Sequence, residues 1–208
     1  MSDKAFHSWE KILNPAKLKS NLVLSSVFLT AYETLKNSII DQPKSLYKIG
    51  FDGERDIIDP KYETEVIQLY KGKRNPFRAS CIWWKNNNVL TNDIIDIIIK
   101  ITDHRNLIAH ETLKFLGDTS YEVNTDLLYC IIGIISKVDI WWIREFEIPC
   151  NAEFDDQDTE KIPDTEIRSG NMMLMSLIAK IINGNEDYLK NLHKDFVEQY
   201  KKMKNSNQ

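Results

Sequence analysis

The feature that most limits how this chain can fold is an apolar stripe at helical spacing near its start. Leu18, Leu22, Leu24, Val27, Phe28, Ala31, Leu35 and Ile39 recur through residues 16–40 on one broad side of a helix. The pattern predicts a long first helix of about six or seven turns. A second stripe, Leu127, Leu128, Ile131, Ile132, Ile135, Val138, Trp141 and Trp142, predicts another central helix, started by Asn124 or Thr125 and stopped by Pro149. A third run, Ile94, Ile95, Ile97, Ile98 and Ile101, follows a cap at Thr91 and leaves its helix so apolar that it must be largely enclosed. Helices of this kind bury their stripes against one another, so the fold class is all-α.

Shorter signals fill the intervals. Asp59-Pro60 and Asn75-Pro76 each read as an N-cap with proline at the first helical position, opening helices that reach about Tyr70 and about Lys85. Residues 41–59 are the least regular, with turns at Gly50 and Gly53 and an extended stretch at Tyr47-Lys48-Ile49. Residues 1–14 are a mixed arm expected to dock through Phe6, Trp9, Ile12 and Leu13, and Trp83 and Trp84 read as core or interface residues. From Glu145 to Glu166 nine acidic residues face one basic residue, Lys161, as in a solvent-exposed linker. Helices are expected again from Asn171 to Ile182 and from Glu186 to about Lys204. The expected organisation is a helical bundle over residues 1–150, an acidic linker over 151–166, and a two-helix extension over 167–208 packing on the bundle.

Composition excludes several classes. With 42% hydrophobic and 28% charged residues in 208, the chain fits an ordinary globular protein. Cys81, Cys130 and Cys150 form no CxxC pair, which argues against a disulfide framework or zinc knuckle and for a reducing, intracellular setting; Cys81 and Cys130 read as buried thiols. Residues 1–9 lack the apolar core of a signal peptide, and Leu127 to Ile143 is short of a membrane span and broken by Lys137 and Asp139, so a cytoplasmic, non-membrane protein is expected. Asp155, Asp156 and Asp158 lack the glycine and final glutamate of a calcium loop and read as solvated acids, so no metal or cofactor is expected. A net charge of -4 gives no general attraction for nucleic acid, and any RNA-directed activity must rest on a local basic patch. The turn Lys71-Gly72-Lys73-Arg74 has two readings: a solvated helix terminus, or a substrate contact for a phosphate backbone.

The densest chemistry lies in His104-Arg105-Asn106-Leu107-Ile108-Ala109-His110-Glu111, which holds two of the four histidines. If residues 104–116 are helical, Asn106 and His110 stack on one face and Arg105 sits about 100° round from Asn106. Leu107, Ile108 and Leu113 then offer apolar contacts to neighbouring helices, and Ala109 permits close approach. The residues leave open whether Thr102 or Asp103 caps a fresh helix here, which would give the segment an anion-favouring N-terminus, or whether one helix runs through. Tyr32 and Glu33, midway along the first helix, are either a packing edge and a solvated carboxylate or the polar lining of a cleft opposite the Arg-Asn face.

Arg105-Asn106-Leu107-Ile108-Ala109-His110 resembles the signature of the HEPN superfamily, an arginine usually followed by asparagine or another polar residue, with a histidine four to six positions after the arginine. The resemblance covers the region from about Leu18 to Glu147 and implies a HEPN-like helical bundle, with the two C-terminal helices as additions. It also implies a metal-independent endoribonuclease whose composite site forms at a homodimer interface, of the sort found in toxin and anti-phage defence systems. Carried over by position, Arg105 stabilises the phosphorane-like transition state, Asn106 orients the histidine or the substrate, and His110 transfers protons. His104 and Glu111 lie outside the core pattern and stand as auxiliary candidates. RNA and a second copy of the chain are the implied partners, with an antitoxin or other regulatory protein beside them. The competing reading is a non-catalytic HEPN-like module that dimerises or binds nucleotides or a protein.

Overall fold

The computed structural model describes residues 3–154 and 161–206. The acidic residues Asp155, Asp156 and Asp158 lie outside that range. The protein is predominantly α-helical, with 74% of it in helix and one small two-stranded sheet. The chain divides into two compact units, Met1–Met172 and Met173–Gln208.

The first unit is organised around α2 (Pro15–Ser45), which extends one residue before and five beyond the stripe that predicts it. Asn14 caps it by accepting from the N–H groups of Ala16 and Lys17, and Pro15 occupies the first turn. Phe28, Ala31, Leu35 and Ile39 are wholly buried on one face of α2. Against that helix pack α4 (Pro76–Asn86), α5 (Asn92–His110) and α7 (Thr125–Trp142). The buried side chains they contribute are Ala79 and Trp84, Ile98, Ile101 and Ile108, and Leu128, Ile131, Ile135 and Val138. Each fully buried aliphatic side chain is worth about 1.5–3 kcal/mol of transfer free energy, so this one contiguous face dominates the stability of the unit.

Several local expectations change on folding. Residues 3–13 form a helix, α1 (Asp3–Leu13), rather than an irregular arm; Phe6, Trp9 and Leu13 stay exposed. Of the four expected anchors Ile12 docks, lying close enough to Gly117 that a β-carbon there would stand 2.8 Å away, and Lys11 joins it, its amine donating to the carbonyls of Asp118 and Tyr121. The irregular stretch before Pro60 contains an antiparallel hairpin, β1 (Lys48–Phe51) and β2 (Asp56–Ile58). Asp52 closes its turn by accepting from the N–H groups of Glu54 and Arg55, and Gly53 takes the left-handed φ of +101° the turn requires. After Asp59, which accepts from the Lys61 N–H, the helix expected to run to Tyr70 stops early. It is α3 (Lys61–Glu65) followed by a single 3₁₀ turn, Ile67–Leu69, because Tyr62, Val66 and Ile67 turn inward onto Ala79 and a separate small core forms there. Cys81 is buried as expected, whereas Cys130 is only half-buried.

Trp84 illustrates how a sequence-distant pair completes the core. Pro43 lies inside α2 and has no N–H, so the Ile39 carbonyl lacks its usual intrahelical donor. The buried Trp84 indole N–H supplies the bond at 2.9 Å. Trp83, Trp141 and Trp142 meet its ring edge-to-face, Phe146 packs in turn on Trp141 and Trp142, and the last turn of this region, Ile143–Glu147, is a π-helix. Nearby, the buried Asp139 carboxylate accepts from Gln42 Nε2 at 2.8 Å and from the Ser169 hydroxyl, and Asn171 donates to Ser38.

The second unit holds most of α8 (Gly170–Ile182) and all of α9 (Glu186–Ser206). Its two helices match the expected C-terminal pair, with Gly184 at φ +73° in the turn between them. Among the described residues no helix is long and apolar enough to cross a membrane.

Candidate functional site

The segment carrying the arginine, asparagine and histidines is the C-terminal half of α5. Thr91 caps the start of that helix, and the helix then runs unbroken to His110. Thr102 does not cap a fresh helix; its hydroxyl bonds back to the Ile98 carbonyl at 2.8 Å within the same helix. The break falls instead at Glu111, before the short α6 (Thr112–Gly117). Of the two alternatives left open, the helix runs through, so the motif has no anion-favouring N-terminus and sits at the carbonyl end of α5, where the helix dipole is negative. An unbroken helix wins because Ile98, Ile101 and Ile108 all lie on the side that packs into the core.

Arg105 reaches across to α2. One of its terminal nitrogens donates to Glu33 Oε1 at 2.8 Å, and the other approaches Asn106 Oδ1 at 3.3 Å. The guanidinium lies over the Tyr32 ring, 5.3 Å from its centroid, while its Nε–H is buried without a hydrogen-bond partner among the described residues. The other Glu33 oxygen accepts from Lys36 at 3.1 Å. Partial burial pushes the Glu33 carboxyl up, but the hydrogen bonds and charges of Lys36 and Arg105 outweigh it and hold the group below its ordinary value. Of the two readings open for Tyr32 and Glu33, the first holds for Tyr32, which is buried packing. Glu33 is a partly exposed carboxylate that is also paired to Arg105.

The remaining candidates separate by exposure. Asn106 and His110 are exposed on the outer face of α5, and the His110 side chain makes no hydrogen bond or ion pair among the described residues. Leu107 and Leu113, expected against neighbouring helices, are 41% and 83% exposed, and only Ile108 packs inward. His104 points the other way. Its ring meets Phe28 at 5.0 Å and Phe115 at 5.9 Å, both edge-to-face, and its Nε2 accepts the backbone N–H of Asn124 at 2.9 Å. Burial pushes its pKa down, and the bond from Asn124 requires that nitrogen to be unprotonated. His104 thus works as a neutral acceptor tying α5 to the cap of α7. Glu111 pairs with Lys114 at 2.9 Å.

The basic turn does not join the motif directly. Arg74 is paired to Glu63 at 2.9 Å, and Lys71 and Lys73 are exposed. However, its flanking residues Tyr70 and Asn75 and the residues just before the motif, Thr102 and Asp103, line one cavity of about 380 Å³ between α2, α4 and α5. Lys36, Phe77 and Arg78 also line it, and sequence reasoning passed over all three. Lys36 carried a usable signal, three residues after Glu33 on the same helix face. Among the described residues no three His, Cys, Asp or Glu side chains converge as metal ligands would. Comparison with known proteins finds no matching family model, no matching curated protein and no matching solved structure.

Proposed function

We propose that this protein is a metal-independent endoribonuclease whose site is completed by a second copy of the chain. The observation that carries the reading is the outer edge of α5, where Asn106 and His110 are solvent-exposed and Asn106 accepts from the guanidinium that Glu33 holds in place. RNA cleavage without a metal needs a base for the 2'-hydroxyl, positive charge on the phosphorane-like oxygens, and an acid for the departing 5'-oxygen. Imidazole serves either proton task near neutral pH, and a guanidinium presents a rigid fork to the non-bridging oxygens. One motif supplies one exposed imidazole, so two-fold pairing across Leu107, Ala109 and Leu113 brings the required second histidine. In this reading His110 transfers protons, Asn106 orients the histidine or the substrate, Arg105 stabilises the transition state, and Lys71 and Lys73 contact the strand beyond. A toxin or anti-phage role, with an antitoxin or regulatory partner, follows from the HEPN resemblance, and a cytoplasmic setting from the unpaired cysteines.

The test is incubation of the purified protein with defined RNAs in chelator, with sedimentation at the same concentrations. Arg105→Ala and His110→Ala should each reduce cleavage by about 100-fold or more. Cleavage unchanged by both substitutions overturns the site. Absence of cleavage of any RNA favours the second reading, a non-catalytic dimerisation or nucleotide- or protein-binding module. That reading has a specific observation of its own: Glu33 neutralises Arg105, and the motif sits at the negative end of α5.

A further inference from the structure

We propose that the cavity between α2, α4 and α5 is a binding site for a small aromatic monoanion. Its volume of about 380 Å³ falls within the range of ligand pockets, roughly 300–1,000 Å³. Its lining is largely apolar, with Ile82, Ile95, Ile98 and the half-exposed Ile99 alongside the rings of Tyr32 and Phe77. Those two rings meet edge-to-face at 6.1 Å, which leaves an aromatic wall for a flat guest. Polar groups are confined to a few positions. Arg78 has no carboxylate partner among the described residues; its side chain donates only to the Tyr70 hydroxyl at 3.0 Å and lies over that ring. Lys36 shares Glu33 with Arg105, so its charge is only partly satisfied. Asp103 is the one acid in the lining, against these two cations. A ring with a single carboxylate or sulfonate matches this arrangement: its body is taken from water among the isoleucines, and its anionic group meets Arg78 and Lys36.

The site borders the motif without overlapping it. Tyr32 lines the cavity and also lies beneath the Arg105 guanidinium. An anion that engages Lys36 leaves Glu33 to Arg105 alone and so tightens that pair. Any effect on RNA cleavage rests on the function proposed above, so binding itself is the test. Isothermal titration of the full chain with 2-naphthoate should give saturable one-to-one binding. The ammonium analogue, 2-naphthylmethylamine, should bind at least about tenfold more weakly. Arg78→Glu, an exposed substitution, should weaken naphthoate by about tenfold or more, and Ile99→Trp at the half-exposed wall should abolish binding, with circular dichroism showing both variants folded. The inference fails if naphthoate does not bind, if the ammonium binds equally well, or if folded Arg78→Glu and Ile99→Trp bind like wild type. Binding without RNA cleavage would leave this site standing and remove the ribonuclease.

Discussion

The Ile39 carbonyl offers a sharp test of the energetics of the core. Pro43 removes the N–H that would pair with it inside α2, and the wholly buried Trp84 replaces that donor from a helix 45 residues away in sequence. Trp84→Phe keeps an aromatic ring but leaves the carbonyl unpaired in a dry core. The orphaned acceptor should cost about 1–3 kcal/mol. Lost ring volume among Trp83, Trp141 and Trp142 should add about 1–2 kcal/mol. Pro43→Ala restores a donor in the fourth position along the helix, so in that background only the packing loss remains. The double-mutant cycle should therefore show a coupling equal to the orphaned-acceptor cost, about 1–3 kcal/mol. With a urea dependence of about 2 kcal/mol per molar, the Trp84→Phe midpoint shift should be smaller by roughly 0.5–1.5 M when residue 43 is alanine. Urea titrations of the four proteins followed by far-UV circular dichroism measure it. Equal costs of Trp84→Phe in both backgrounds, within about 0.3 kcal/mol, would refute the account.

Four further outcomes are expected. Arg105→Ala and His110→Ala should cut chelator-resistant RNA cleavage by about 100-fold or more while leaving the thermal midpoint nearly unchanged, since Arg105 is partly and His110 largely exposed. The naphthoate titration and its Arg78→Glu and Ile99→Trp variants test the cavity between α2, α4 and α5. His104 has a folded pKa below its ordinary 6.5, so both states are neutral well above that pH and stability is complete there. As pH falls the unfolded chain takes up the proton first, so stability should drop from about pH 6.5 downward, and His104→Phe should flatten that part of the profile. Burial pushes the Cys81 thiol up to about 12, so at pH 8 a thiol reagent should label the exposed Cys150 quickly and Cys81 only after urea unfolding, as peptide mapping would show.

What the amino-acid order determined alone was local. Caps at Thr91, Asn75 with Pro76, and Asn124 act within one helical turn, so the residues that form each cap are the residues that announce it. The stripes from Leu18 to Ile39 and from Leu127 to Trp142 likewise announce their helices, because periodicity is a property of the segment itself, although burial on α2 begins only past Leu22, which is 47% exposed. The pairing of Arg105 with Glu33, 72 residues away, was decided only in three dimensions. So was the fate of the two motif histidines, which are equivalent by composition: one became a neutral acceptor against Phe28 and Phe115, and the other stayed on the surface. The unbroken helix at Thr102 belongs here too, since a threonine can cap a helix or bond back into one, and burial of Ile98, Ile101 and Ile108 chose between them. The cavity was invisible beforehand because its wall is drawn from three helices, and an empty volume exists only once their packing angles and side-chain sizes are set together.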